Sequence, residues 1–245
     1  MKMKTVIVTG ASSGIGFAIA QAYLAQGFNV VANGRTQQEL ENAAVEFGSP
    51  ENLLLVAGDI SQPATAKALF SQAEARFGRV DVLVNNAGVF ISKPIADYVE
   101  SDLDTMLGVN MKGFFYTSQV AAEHMRAHGG GHIIAITAAI AMQPNVNVPA
   151  LLPIMVKGGL NHAVRGLALE LANSNIMVNA IAPGIISTPM HSQDKQTMEV
   201  LKTMAPTNQV GEVQDIVNAV MYLTDSKFVT GSIMVVDGGA TSGKW

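Results

Sequence analysis

Cysteine is absent from this 245-residue chain. Its absence excludes disulfides, thiolate catalysis and cysteine-ligated metal, and it fits a reducing compartment. Charge is scarce as well: Asp, Glu, Lys and Arg make up 14% of the residues, and the formal net charge is -4. No dense Lys/Arg block occurs, so nucleic acid is not an expected partner. No uninterrupted apolar run reaches the roughly 18 residues of a membrane span, and no membrane partner is expected. No signal-peptide pattern precedes the strand-like segment Thr5–Val8, so the expected location is cytoplasmic.

Apolar residues are plentiful, at 49%, which at this length supports a sizeable core. Short β-rich runs alternate with longer helical patterns. Strands are predicted at Thr5–Val8, Asn29–Ala32, Leu53–Ala57, Val80–Asn85, Ile133–Thr137, Ile176–Ile181 and Ile233–Val236. Helices are predicted at Gly14–Gln26, Gln37–Phe47, from Pro63, Ser101–Met111, Gly113–His128, Pro153–Asn173, Lys195–Met204 and Glu212–Thr224. The strands are continuous apolar runs, as expected where helices cover both faces of a sheet. No repeat or linker interrupts the chain. The expected fold is α/β, a single doubly wound (Rossmann) parallel sheet of seven strands flanked by helices, forming one domain over residues 1–245.

The first strand runs into Thr9-Gly10-Ala11-Ser12-Ser13-Gly14-Ile15-Gly16. Glycines at such a turn let the backbone approach a pyrophosphate, while the next helix offers N–H groups and its dipole to the negative charge. Three residues separate Gly10 from Gly14, unlike the Gly-x-Gly-x-x-Gly pattern. Alone, the turn fits a ligand-free loop equally well.

Its spacing resembles the short-chain dehydrogenase/reductase family, whose signature is Thr-Gly-x-x-x-Gly-x-Gly. Other segments carry the same resemblance in order: Asp59 after the third strand, Asn85-Asn86-Ala87-Gly88 after the fourth, and Asn110 within Val109–Gly113. Val178-Asn179-Ala180-Ile181-Ala182-Pro183-Gly184, with Thr188 beyond it, and Val235-Val236-Asp237-Gly238-Gly239 complete it. The resemblance spans nearly the whole chain. It implies a dinucleotide held by Gly10, Ser12, Ser13, Gly14, Ile15, Gly16, Asp59, Ile60, Asn86, Ala87, Gly88 and Lys157. It also implies that Pro183, Gly184, Ile186, Thr188 and Met190 close over the nicotinamide.

The second strand ends Asn33-Gly34-Arg35-Thr36. An acidic residue here would accept hydrogen bonds from the adenosine ribose and repel a 2′-phosphate. Gly34 stands where NAD-preferring members of the family carry aspartate. Arg35 can pair with a 2′-phosphate and stack on adenine, and Asn33 and Thr36 can add hydrogen bonds. The expected cofactor is NADP(H), with NAD as the alternative. A solvated surface arginine is the plainer reading of Arg35.

The family's usual chemistry uses a tyrosine acid, a lysine four residues later, a serine and a helix asparagine. Lys157 and Asn110 match two of these roles and are the expected catalytic residues. The resemblance gives Lys157 a hydrogen bond to the nicotinamide ribose. Asn110 either supports a water relay or ties helix to strand. Pro153 stands at the tyrosine position and Ala138 at the serine position. Counting back from Lys157 instead lands on Ile140, and the longer enoyl-reductase spacing lands on Ala150. Thr137 carries the nearest hydroxyl, on the opposite side of the strand. Substitute proton sources are Tyr116, His124, Tyr98, His191 and water ordered by Lys157.

The apolar stretch Ala138–Ile154, stiffened by Pro144, Pro149 and Pro153, is expected to line a pocket for an apolar small-molecule substrate. Two functions remain open. One is an NADP(H)-dependent oxidoreductase acting on a carbonyl or alcohol with an atypical proton donor. The other is a catalytically weak dinucleotide-binding sensor or scaffold. The resemblance also implies a homo-oligomer, tetramer or dimer, formed through the helices at Gly113–His128 and Pro153–Asn173. No metal site is expected.

Overall fold

All seven strands lie in one sheet in the computed structural model, which describes residues 3–188 and 194–243. In chain order they are β1 (Thr5–Val8), β2 (Asn29–Gly34), β3 (Leu53–Ala57), β4 (Val82–Asn85), β5 (Gly131–Ile136), β6 (Ile176–Pro183) and β7 (Ile233–Val236). The spatial order is β3-β2-β1-β4-β5-β6-β7, and every neighbouring pair is parallel. Parallel neighbours need crossovers, and helices supply them. These are α1 (Gly14–Ala25), α2 (Gln37–Glu46), α3 (Pro63–Phe77), α4 (Glu100–Met106), α5 (Gly113–Ala127), α6 (Leu151–Leu171), α7 (Lys195–Lys202) and α8 (Val213–Asp225).

Successive strand side chains point to opposite faces, and the core divides accordingly. Val6 and Val8 of β1 pack with Ile19 and Tyr23 of α1 and Ile216 and Val220 of α8. Ile7, between them, packs on the other face with Leu69 of α3, Met125 of α5 and Leu160 of α6. Burying a Val, Leu or Ile side chain stabilises by about 1.5–3 kcal/mol, so each strand residue contributes to one of two buried layers.

Boundaries depart from the sequence-based expectation where tertiary partners intervene. β4 begins at Val82 instead of Val80, because the Val80 amide donates to His124 Nε2 at 2.9 Å. β6 runs on to Pro183, because Ala182 and Pro183 pair with Val235 and Val236. The helix expected through Met111 changes character at Leu107: residues Leu107–Lys112 form a π-helical turn. α6 begins at Leu151, two residues before Pro153. A proline in a helix's first turn forfeits no hydrogen bond, since the first N–H groups have no intrahelical acceptor.

Candidate functional site

The sheet order reverses between β1 and β4, so the chain leaves these two strands in opposite directions and opens a crevice at their carboxyl ends. Thr9 and Asn86 join its two walls. The Thr9 hydroxyl oxygen accepts from the amides of Asn86 and Ala87, both at 3.0 Å. The Asn86 side-chain amide donates back to the carbonyls of Thr9 and Gly10, at 3.0 and 3.1 Å. Gly10 turns with a φ of 65°, and a Cβ on Gly16 would stand 2.1 Å from the Gly10 carbonyl oxygen. Only glycine allows α1 to start this close to the strand.

α1 begins without a side-chain cap. Ser13, its N-cap residue, makes no capping bond, and the first turn holds no acidic residue. By contrast, Thr36 caps α2 by accepting from the Glu39 amide at 3.3 Å, and Asp194 caps α7. Ser12, Ser13, Gly14 and Ile15 line the crevice, so the opening N–H groups of α1 face the space where a diphosphate fits.

At one end of the crevice β2 finishes at Gly34. A Cβ there would meet the Leu40 side chain at 3.0 Å, so an aspartate would need that leucine to shift slightly. Arg35 follows, exposed and on the crevice wall, with no ion pair to another described residue. Asp59 and Ile60 stand across from it after β3, the Asp59 carboxylate accepting from the Ser61 amide at 2.9 Å.

At the other end Lys157 reaches from α6. It is 6% exposed, and Nζ donates to the Ile136 carbonyl at 3.0 Å. Burial pushes its pKa from 10.5 down to about 8. A Cβ on Gly88 would come within 3.2 Å of Nζ, so this glycine keeps the space beside the ammonium open. Asn110 occupies the π-helical turn, a feature that often marks functional sites. Its Oδ1 accepts from the Val89 amide at 3.2 Å, while Nδ2 donates to the carbonyls of Val89 and Met106, at 3.2 and 3.1 Å. Ala138 lines the crevice, whereas Pro153, buried in the first turn of α6, is not part of its lining.

Residues 10–241 match the family model described as Enoyl-(Acyl carrier protein) reductase. The chain belongs to the short-chain dehydrogenase/reductase family. It is 33% identical over 240 residues, 96% of each chain, to (2S)-[(R)-hydroxy(phenyl)methyl]succinyl-CoA dehydrogenase subunit BbsD of Thauera aromatica. It is 34% identical over 250 residues to the NADP-dependent (R)-specific alcohol dehydrogenase of Lentilactobacillus kefiri, covering 99% of this chain and 98% of the relative. Among solved structures, ElxO with NADP bound superposes with a TM-score of 0.93 at 27% identity, over 99% of this chain and 100% of that one.

Against the family pattern, the structure gathers most of the expected residues. Gly10, Ser12, Ser13, Gly14, Ile15, Arg35, Asp59, Ile60, Asn86, Ala87, Gly88, Lys157, Pro183, Gly184, Ile186 and Thr188 all border the crevice. Four others are placed differently. Gly16 packs behind the turn. Thr36 spends its hydroxyl on the α2 cap and lies outside the lining. Asn33 reaches the wall, but its amide N–H groups go to the carbonyls of Val56 and Gly58, at 3.0 and 3.2 Å, tying β2 to β3. Asn110 faces a small inner cavity behind the crevice, with its amide bonds used to hold the loop after β4. Met190 and His191 lie outside the described residues.

The substitute proton donors are elsewhere. Tyr98 donates to the Ile91 carbonyl at 2.9 Å, His124 accepts from Val80, and Tyr116 packs edge-on to Phe115. The Thr137 hydroxyl donates to the Ile181 carbonyl at 3.2 Å. Among the described residues no tyrosine or histidine lines the crevice. Of the stretch Ala138–Ile154, residues such as Ile140, Val146 and Val148 form a wall, while Leu151–Ile154 enter α6. Val200, Leu201 and Met204, which the sequence reading missed, form part of the lining. Their signal was the amphipathic pattern of α7, which needs an apolar surface to face.

Proposed function

We propose that this protein is an NADP(H)-dependent oxidoreductase that interconverts the carbonyl and alcohol forms of a small, apolar substrate, with a proton source other than tyrosine. The observation that carries the cofactor assignment is the end of β2. Gly34 offers no carboxylate, while Arg35 presents an unpaired guanidinium on the same wall. A 2′-phosphate placed there gains a charge-assisted hydrogen bond. The uncapped start of α1 suits the diphosphate, and Asp59 and Ile60 suit the adenine. An NADP-dependent relative and a NADP-bound structural neighbour support the same assignment. When bound, the cofactor supplies or takes up the hydride.

The protein's own groups do the rest. Lys157 places a positive charge at the reactive end. Val89, Ile140, Val148 and Leu201 line that end of the crevice and favour an apolar substrate. Asn110 positions the loop carrying Gly88 and Val89. A homo-oligomer is part of this reading: Phe115 on α5 and Met155 and Leu169 on α6 are 58%, 59% and 83% exposed, apolar surface that a second copy would cover. The reading also carries a cytoplasmic location, with which the absence of cysteine agrees.

Fluorescence titration tests the cofactor assignment. NADPH should bind at least about tenfold more tightly than NADH, the size of one charged hydrogen bond. Equal affinities would remove the Arg35 argument. A second reading, a dinucleotide-binding sensor or scaffold, draws on Pro153 and Ala138. It requires NADPH binding without consumption of NADPH in the presence of apolar ketones, aldehydes and quinones.

A further inference from the structure

We propose that Lys157 is itself the proton donor to the substrate oxygen in reduction, and the acceptor of that proton in oxidation. This rests on the oxidoreductase reading of the crevice.

The geometry comes first. A lysine ammonium has three donors. One N–H of Lys157 goes to the Ile136 carbonyl, and no other described residue accepts from Nζ. The spare donors belong to a group that borders the crevice beside Gly88, which has no side chain to cover them. Ala138 contributes only a methyl group to the same wall, and Pro153 has no proton to give. The Thr137 hydroxyl is engaged with Ile181.

The other titratable groups of the crevice are committed elsewhere. The Asp237 carboxylate accepts from the amides of Gly239 and Thr241 and from the Thr241 hydroxyl. Asp215 accepts from the Glu212 amide at the start of α8, and Asp59 accepts from Ser61. Glu39 and Arg35 are at the adenine end. Glu212 is the exposed N-cap residue of α8, and among the described residues Lys157 is the remaining acid at the reactive end.

Its proton affinity suits the task. An ordinary lysine holds its proton too firmly to give it up quickly near neutral pH. Burial alone brings Lys157 to about 8, and no charged side chain from the packed elements pulls the value back up. At neutral pH the group is therefore mostly ammonium, yet near its point of release. The same charge, held away from water, stabilises negative charge developing on a carbonyl oxygen.

The step balances. In reduction the carbonyl carbon gains a C–H bond from C4 of NADPH, which is oxidised to NADP+. The C=O π pair moves onto oxygen, and oxygen takes a proton from Nζ. One N–H bond breaks and Lys157 is left as a neutral amine. Water entering the crevice restores the proton.

The test combines two readouts on the full chain. The first is NMR of 15N-lysine-labelled protein without cofactor, with the Lys157 signal assigned by its loss in Lys157→Met. Its Nζ should titrate near pH 8. Titration near the ordinary lysine value would overturn the proposal. The second is NADPH oxidation with 9,10-phenanthrenequinone and acetophenone as apolar carbonyl probes. The kcat for reduction should fall tenfold per pH unit above pH 8. Lys157→Arg keeps the charge but does not surrender a proton, so its kcat should drop by about 10²-fold or more with the alkaline fall abolished. Wild-type kcat and pH profile in Lys157→Arg would overturn the proposal. So would a wild-type protein that binds NADPH and reduces neither probe. Failure of the wild-type protein to bind NADPH at all would instead sink the oxidoreductase reading.

Discussion

Lys157 is buried without a carboxylate partner, and that has a thermodynamic consequence separate from catalysis. Its pKa is about 8 in the folded chain and 10.5 in the unfolded chain. Between these values the unfolded chain binds more protons, so stability rises with pH across that window. Below pH 8 the full penalty of burying the charge applies, on the order of 3 kcal/mol. Lys157→Met should therefore raise Tm at pH 7, and the gain should fade as pH approaches 10.5; a lower Tm at pH 7 would contradict this. His124 works in the acid range. Burial, above all, lowers its pKa, and its Nε2 accepts from the Val80 amide. The folded protein then binds fewer protons than the unfolded chain as pH falls below about 6.5, so Tm should be lower at pH 5.5 than at pH 7. In the neutral ring a proton must occupy Nδ1, the atom facing Glu74. His124 thus has no free lone pair to offer a metal, although Glu74, His124 and His128 place ligand atoms within 4.8 Å of one another. Arg35 is the simplest residue to test. Arg35→Ala should weaken NADPH binding about tenfold and leave NADH binding unchanged in a fluorescence titration. The positions of Arg35 and Lys157 on the crevice were legible in the sequence, because each follows from its spacing to a strand end or a motif. The tie of Asn33 to β3 was not legible, because its amide meets a backbone group 23 residues away that only the folded chain brings near, while the structural tie of Asn110 was one of the two roles the sequence left open.

The strands β3 and β7 match the sequence-based ranges because continuous apolar runs end at polar or glycine-rich turns. The π-helical turn Leu107–Lys112 had no such mark, since its apolar spacing also reads as α-helix. It is set by Asn110 holding the loop after β4. α6 presents a different case. Pro153 looks like a helix boundary, yet it occupies the first turn of a helix beginning at Leu151. Lys157 follows one turn later, and residues four apart share a helix face. Pro153→Tyr, combined with Ala138→Ser, should restore a phenol and a hydroxyl beside Lys157. The expected result is a rise of about 10²-fold in kcat for apolar ketones, the usual worth of a positioned general acid. A folded double variant that binds NADPH and shows no gain would mean that the start of α6 points the new ring away from the substrate.

Over the molecule as a whole, helices cover the sheet on both faces, and the outer sides of α5 and α6 carry Phe115, Met155 and Leu169 among the exposed apolar side chains. Light scattering should give a dimer or larger assembly. Phe115→Arg with Met155→Arg should yield a monomer of unchanged NADPH affinity, and a wild-type monomer would refute the interface. The ties between the two walls of the crevice carry a further consequence, for the order in which the molecule is made. Thr9 meets Val84, 75 positions further along the chain. While a ribosome has released only the first three strands, β1, β2 and β3 can pair side by side, but the edge of β1 that receives β4 stays bare. That edge is a row of unpaired backbone groups open to stray association. Only emergence of residues 82–87 closes it. Synthesis therefore passes through a stretch of vulnerability that chaperones must cover, and a ligand of the crevice can offer no help until that stretch has ended.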